Sequence, residues 1–358
     1  MHSTHLWICR SRRVLGLLAA VLSTSHHHLD AADSALPKTG LAIAGERFTI
    51  NGQPAFLLGF SYFSALGAPE DFIRQDLDDF QRRGFNWLRV WATWRTSDFD
   101  LSAFDPAGQV REPFFAKLKW LVAECDRRGL VVDVTLARSK PAAAASAAGR
   151  LSGFAAHQRA IESLVPALKT YQNWYLDLAN ERDVRDDRFV PPAELKKLSE
   201  QIRQLDPHRL VTASTGGHDL TPQDLREASF DIGLDFVSPH RPRDRESPAQ
   251  TETKTRSALA AMKDLRRSVP ILYQEPFRRG YGSWEPSSAD FFADLRGAFL
   301  GGSAGWCFHN GNRRSARESK TGHSARSFDL RHSRLMDQLD AEELHFINSA
   351  TKAVAHHP

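Results

Sequence analysis

Short apolar runs alternate with amphipathic stretches from Phe56 to Phe308, and this alternation leaves few architectures open to the chain. Strands buried on both faces read as near-continuous apolar runs. Eight such runs stand out: Phe56–Phe60, Asn86–Trp91, Leu130–Leu136, Trp174–Ala179, Arg209–Ala213, Leu234–Ser238, Pro270–Gln274 and Gly305–Phe308. Between them, helical spacing is expected over Glu70–Arg83, Pro113–Arg128, Phe154–Tyr171, Pro192–Leu205, Thr221–Ala228, Thr253–Arg267 and Ser288–Leu300, with Leu335–Val354 closing the chain as a helix. Gly84 and Gly129 fall where helix C-caps need a left-handed residue. Eight β/α repeats indicate an α/β fold, a (β/α)8 TIM barrel, preceded by a short hairpin that turns at Asn51-Gly52. The alternative, a doubly wound open sheet, would put a phosphate-cradling glycine loop after its first strand. Ser61-Tyr62-Phe63-Ser64-Ala65-Leu66-Gly67 lacks one.

In a barrel the C-terminal strand ends converge on one face. Those ends are polar here. The fourth run ends in Asn180-Glu181 and the seventh in Gln274-Glu275. Two carboxylates over one pocket suit acid/base or nucleophilic work. The second run supplies Arg89, Trp91 and, just beyond, Trp94; the sixth supplies His240; the eighth supplies Trp306 and His309. Side chains alternate along a strand, so Asp177 is expected to point inward below the site, with Arg89 as its partner. Trp91, Trp94, Phe63, Trp284 and Trp306 offer flat faces of the kind on which sugar rings stack. Trp87 and Trp120 read as core.

Gly84-Phe85-Asn86-Trp87-Leu88-Arg89, Asn180-Glu181 and Gln274-Glu275, in this order, resemble glycoside hydrolase clan A, most closely family 5. The resemblance spans roughly Phe48 to Asn310. It implies that Glu181 is the general acid/base, that Glu275 is the nucleophile oriented by Arg89, and that Asn180 binds the sugar 2-hydroxyl. It also implies configuration-retaining hydrolysis of β-linked glycans, with β-mannan or β-glucan as the guess, and no cofactor or metal. Two departures stand out. Family members often carry a Tyr two residues after the sixth-strand His, where this chain has His240-Arg241-Pro242; Tyr273 or Tyr281 is a possible stand-in. Many also carry a third-strand His, where this chain has Leu136-Ala137-Arg138.

Two rival readings use the same features. One is a carbohydrate-binding barrel with little or no turnover. The other is a metal-dependent barrel hydrolase, prompted by the 15 His, but the His-x-His pattern expected near the first strand is missing. The formal charge is only +4 and no basic stripe interleaves with aromatics, so nucleic acid is not an expected partner. The expected partner is an oligo- or polysaccharide, bound by a monomer. Arg10, Arg12 and Arg13 followed by apolar Val14–Leu22 resemble an export signal over residues 1–32, with residues 33–358 as one catalytic domain. A secreted or periplasmic location follows, with no membrane attachment after signal removal. Cys9, Cys125 and Cys307 make no disulfide framework, and the last two read as buried thiols.

Overall fold

The computed structural model describes residues 39–95, 99–141, 149–280, 284–310 and 329–354. The expected signal segment, Cys9 and Tyr281 lie outside them. Barrel strands are β1 Leu57–Ser61, β2 Trp87–Trp91, β3 Val131–Thr135, β4 Trp174–Asp177, β5 Val211–Thr212, β6 Pro239–His240, β7 Leu272–Tyr273 and β8 Gly305–Phe308. Seven of them form one parallel sheet in the order β5-β4-β3-β2-β1-β8-β7. The sixth repeat closes the ring. Asp235 N donates to Val211 O at 3.0 Å on one side, and Leu272 N donates to Val237 O at 2.9 Å on the other. The fold is therefore the expected (β/α)8 barrel. Among the described residues no helix is long and apolar enough to cross a membrane.

The helices are α1 Glu70–Arg82, α2 Phe114–Arg128, α3 Gly153–Leu168, α4 Pro192–Leu205, α5 Pro222–Arg226, α6 Ser247–Asp264 and α7 Ser288–Gly301. Gly129 ends α2 in the left-handed region at φ 77°. The C-terminal stretch is not one helix but three: α8 Leu335–Gln338, α9 Ala341–Ile347 and α10 Ala350–Val354. Asp340 explains the first break. Its side chain accepts from Glu343 N in a capping box, so the chain restarts a helix there instead of continuing one. The N-terminal hairpin is a three-stranded meander, Leu41–Ala44, Arg47–Ile50 and Gln53–Ala55.

Strand alternation divides the apolar residues into two layers. Leu57, Trp87, Val131, Tyr175, Phe236, Leu272 and Cys307 fill the barrel interior, and Leu41 and Phe48 of the meander join them. Leu58, Phe60, Leu88, Val90, Val132, Leu176, Trp306 and Phe308 face the helices. The interior is tight. A Cβ on Gly59 would lie 2.0 Å from the Trp87 ring and 2.8 Å from its carbonyl oxygen, so only glycine fits beside this indole. Cys125 and Cys307 are buried free thiols.

Candidate active site

Arg89 is the hub of the site. It sits on β2 with the inward parity of Trp87 and Trp91, and none of its side chain is exposed. Its guanidinium serves three carboxylates. Nε lies 3.1 Å from Asp133, Nη2 lies 3.0 Å from Asp177, and Nη1 contacts Glu275. Nη2 also donates to Asn180 Oδ1 at 2.8 Å. The expected Arg89–Asp177 pair is present, and Asp177 additionally accepts from Ser214 N at 3.0 Å. Burial works against the charge on Arg89, but Glu275, Asp133 and Asp177 outweigh it and raise its pKa. Asp133 shows the reverse balance: burial pushes it up to about 7, against the pull of Arg89. Tyr175 Oη at 3.1 Å and Gln274 Nε2 at 2.6 Å donate to it from below the site.

Glu275 follows β7 and is buried. Arg89 contacts Oε1; Arg243 Nη2 donates to Oε2 at 2.7 Å. His309 Nε2 and His240 Nδ1 stand 3.5 and 3.7 Å from the same oxygen. Burial opposes its ionisation; the imidazoles of His240 and His309 and the guanidiniums of Arg89 and Arg243 overcome it and hold the carboxyl well below its usual range. The guanidiniums are the permanent part of that field, because burial keeps His309 neutral. Ser61 Oγ fixes the other ring nitrogen of His309 at 2.7 Å.

Glu181 lies beyond the end of β4 with φ 51°, a left-handed conformation that side chains other than glycine rarely adopt. Its amide donates to Ser214 Oγ at 3.0 Å, which holds the turn. Oε1 accepts from Arg243 Nη2 at 3.1 Å and from His240 Nδ1 at 3.3 Å. Oε2 pairs with Arg188. Burial raises its pKa, but the hydrogen bond from His240 and the charges of His240 and Arg243 prevail and lower it to about 2.

Carboxylate oxygens of Glu181 and Glu275 and a nitrogen of His240 lie within 4.8 Å of one another. Such a trio can ligate a metal, but Arg89, Arg188 and Arg243 already occupy these carboxylates. Their charge opposes a cation. Trp91 stacks on Phe63 at 4.1 Å and Trp94 packs on the same ring at 4.7 Å. This aromatic wall reaches the polar centre, since Arg89 lies over Trp91 at 4.4 Å and Phe63 meets His309 at 5.4 Å.

The structure thus brings together Glu181, Glu275, Arg89, Asn180, His240, His309, Trp91 and Trp94. It does not bring Trp306 to them. Trp306 faces outward from β8, donates from Nε1 to Asp294 at 2.6 Å and packs against Phe346. Parity decides this, because Cys307 and His309 take the inward positions on that strand. Tyr273 also faces outward, with its hydroxyl 2.6 Å from Thr255 Oγ1, so it replaces no site tyrosine. His218 is tied to Asp183 at 2.6 Å. Trp284 packs on Phe277. Sequence reading missed Asp133, Arg188 and Arg243. Arg243 carried a signal: it stands three residues after His240, beside the place where a tyrosine was sought. Arg188 sits in an aperiodic loop and gave none.

Two further cavities flank the barrel. One, of about 730 Å3, opens at the N-terminal strand ends between the meander and residues such as Lys169, Arg209 and Arg267, away from the carboxylates. The other, about 330 Å3, is lined by Arg182, Arg185, Phe189, Gly216 and His218 among others. It neighbours the site, since a Cβ on Gly216 would lie 2.9 Å from Glu181.

No protein-family model and no curated protein matches the chain. Solved structures do. A glycoside hydrolase family 5 mannosidase from Rhizomucor miehei superposes with a TM-score of 0.59 at 14% identity, covering 89% of this chain and 98% of that one. The fold is that of family 5 glycoside hydrolases. An endo-1,4-beta-mannanase from the same organism gives 0.61 at 12% identity, over 88% and 99% of the two chains. A family 5 glycoside hydrolase from Bacteroides vulgatus gives 0.62 at 15%, over 90% and 74%.

Proposed function

We propose that this protein is a configuration-retaining β-glycosidase in which Glu275 is the nucleophile and Glu181 the acid/base. One observation carries the reading: two strand-end carboxylates whose oxygens approach within 4.8 Å, one of them gripped by a buried arginine. Retaining enzymes place their carboxyl groups about 5–5.5 Å apart, whereas inverting ones leave roughly 6.5–9.5 Å for a water. Glu275, ionised and fixed by Arg89, attacks the anomeric carbon as the glycosidic bond breaks. Glu181 protonates the departing oxygen, then takes a proton from the water that releases the sugar. Asn180, held through its Oδ1 by Arg89, keeps its amide NH2 to donate to a substrate hydroxyl. The mannosidase and mannanase neighbours support a β-mannan, with β-glucan next. The basic-then-apolar N-terminal sequence supports export, and the glycan is the only partner we assign.

A binding barrel with little turnover remains as a second reading, because Glu181 is held ionised and a general acid must carry a proton. Covalent trapping of Glu275 by a 2-fluoro glycoside tests the first reading; saturable glycan binding with no trapping and no hydrolysis supports the second.

A further inference from the structure

Glu181 is gripped too well to work alone. Burial alone would help it hold a proton, but the hydrogen bond from His240 and the charges of His240 and Arg243 keep it ionised. The groups facing it are Arg243 and His240 from the sixth-strand side, Arg188 from its own loop, and Glu275 across the site. Arg188 is braced for this: Nε and Nη2 fork onto Asp186 at 3.0 and 2.8 Å, which aims Nη1 at Glu181. Arg243 is braced by Nε donating to Pro276 O at 3.1 Å. Arg150 adds positive charge close enough that desolvation and the repulsion of Arg188 both lower its pKa.

A neutral substrate has only hydroxyls to offer these guanidiniums. Hydroxyls are weaker acceptors than a carboxylate, so the arginines keep Glu181. An anionic substituent offers an equivalent partner. It lets Arg188 and Arg243 exchange one charged acceptor for another, and its own negative charge beside Glu181 favours the protonated acid. The neighbouring hollow has the same character. Arg182 there is buried with no hydrogen-bond partner on its Nε, and Arg185 lies 4.2 Å over the Phe189 ring with no ion pair among the described residues. Its acids are engaged: Asp183 with His218, Glu227 with Arg182, and Asp224 in the α5 capping box.

Resting on the glycosidase reading, we infer that the substrate carries an anionic group, a carboxylate or a sulfate ester, on a sugar beside the scissile linkage. Arg188 and Arg243 bind that group and in doing so release Glu181 to take up a proton from solvent.

The test is titration calorimetry of the full chain at pH 6 and fixed ionic strength, in two buffers of different ionisation enthalpy. The probes are mannotriose and cellotriose (β-1,4-linked), their uronic-acid counterparts and their sulfated counterparts. The acidic members of one series should bind at least about tenfold more tightly than the neutral one, with net proton uptake. Whether uronates or sulfates do so identifies the group. In Arg188→Met the preference should fall below about threefold, and Arg188→Lys should keep part of it. Equal or tighter binding of neutral sugars, binding without proton uptake, or an undiminished preference in Arg188→Met overturns the inference. Hydrolysis separates it from the parent reading. Turnover of neutral glycans with no acidic preference keeps the glycosidase and sinks the inference; proton-linked acidic binding with no turnover keeps the anion site and sinks the glycosidase.

Discussion

Replacing Arg89 by methionine removes the guanidinium shared by three buried carboxylates, Asp133 at 3.1 Å, Asp177 at 3.0 Å and Glu275 in direct contact. Methionine keeps much of the apolar stem, so the change is mainly one of charge. Removing one partner of a buried ion pair costs roughly 3–5 kcal/mol, because the other charge is left without compensation. Here the penalty must depend on pH. Burial already pushes Asp133 up to about 7 with Arg89 in place; without that cation it goes higher. A carboxyl whose folded pKa exceeds its unfolded one, about 4, stabilises the fold while it is protonated. That contribution is lost as pH rises, at about 1.4 kcal/mol per pH unit for each proton released on unfolding. Wild type should therefore lose stability between about pH 4 and pH 7 and level off above that, whereas Arg89→Met should go on losing it past pH 7. Urea unfolding at pH 5, 6, 7 and 8 measures both. The expected loss relative to wild type is about 3–5 kcal/mol at pH 8, and about 1–3 kcal/mol smaller at pH 5. A loss below about 1 kcal/mol at pH 8, or the same loss at both extremes, would refute the picture of Arg89 as neutraliser of the barrel interior.

Two further outcomes follow from local geometry. Gly59→Ala drives a methyl into the Trp87 ring and carbonyl, and should cost about 1–3 kcal/mol or more in urea unfolding; wild-type stability would show that the Trp87 indole can move aside for a methyl. His218 is raised to about 9, chiefly by its hydrogen bond to Asp183, against partial burial. Its contribution is full below the unfolded value near 6.5 and fades as pH rises through 9, so wild type should lose stability between pH 7 and 10 that Asp183→Asn does not lose. Parallel curves for the two proteins would exclude this pair as the cause.

Much of this was legible in the sequence, and the boundary has a physical origin. Period-2 alternation holds inside a strand, so Arg89, Asp177 and the interior position of Trp87 could be read from spacing. The same rule places Trp306 outward, opposite to Cys307; aromatic chemistry suggested a sugar platform where parity forbids one. Beyond a strand end alternation no longer applies. Glu181 reaches the site through a left-handed turn held by Ser214, not through register with Asp177. Arg188 and Arg243 reach it from loops that impose no period; the nearness of Arg243 to His240 was its one signal, and Arg188 had none, so most of the charge around Glu181 was hidden. Asp133 was hidden for another reason: in the Val-rich β3 it looks like an interruption of an apolar run, and only the structure shows Arg89, Tyr175 and Gln274 meeting it.

Glu275 as nucleophile is tested most directly by incubating the folded protein with a panel of 2-fluoro glycosides bearing good leaving groups, neutral and uronic, and locating any label by peptide mass spectrometry. A good leaving group needs no general acid, so trapping does not depend on how Glu181 is held. The expected result is one covalent sugar per chain, on Glu275, abolished in Glu275→Gln and still formed in Glu181→Gln. Label on another residue, or turnover of a glycan by Glu275→Gln at the wild-type rate, would contradict it.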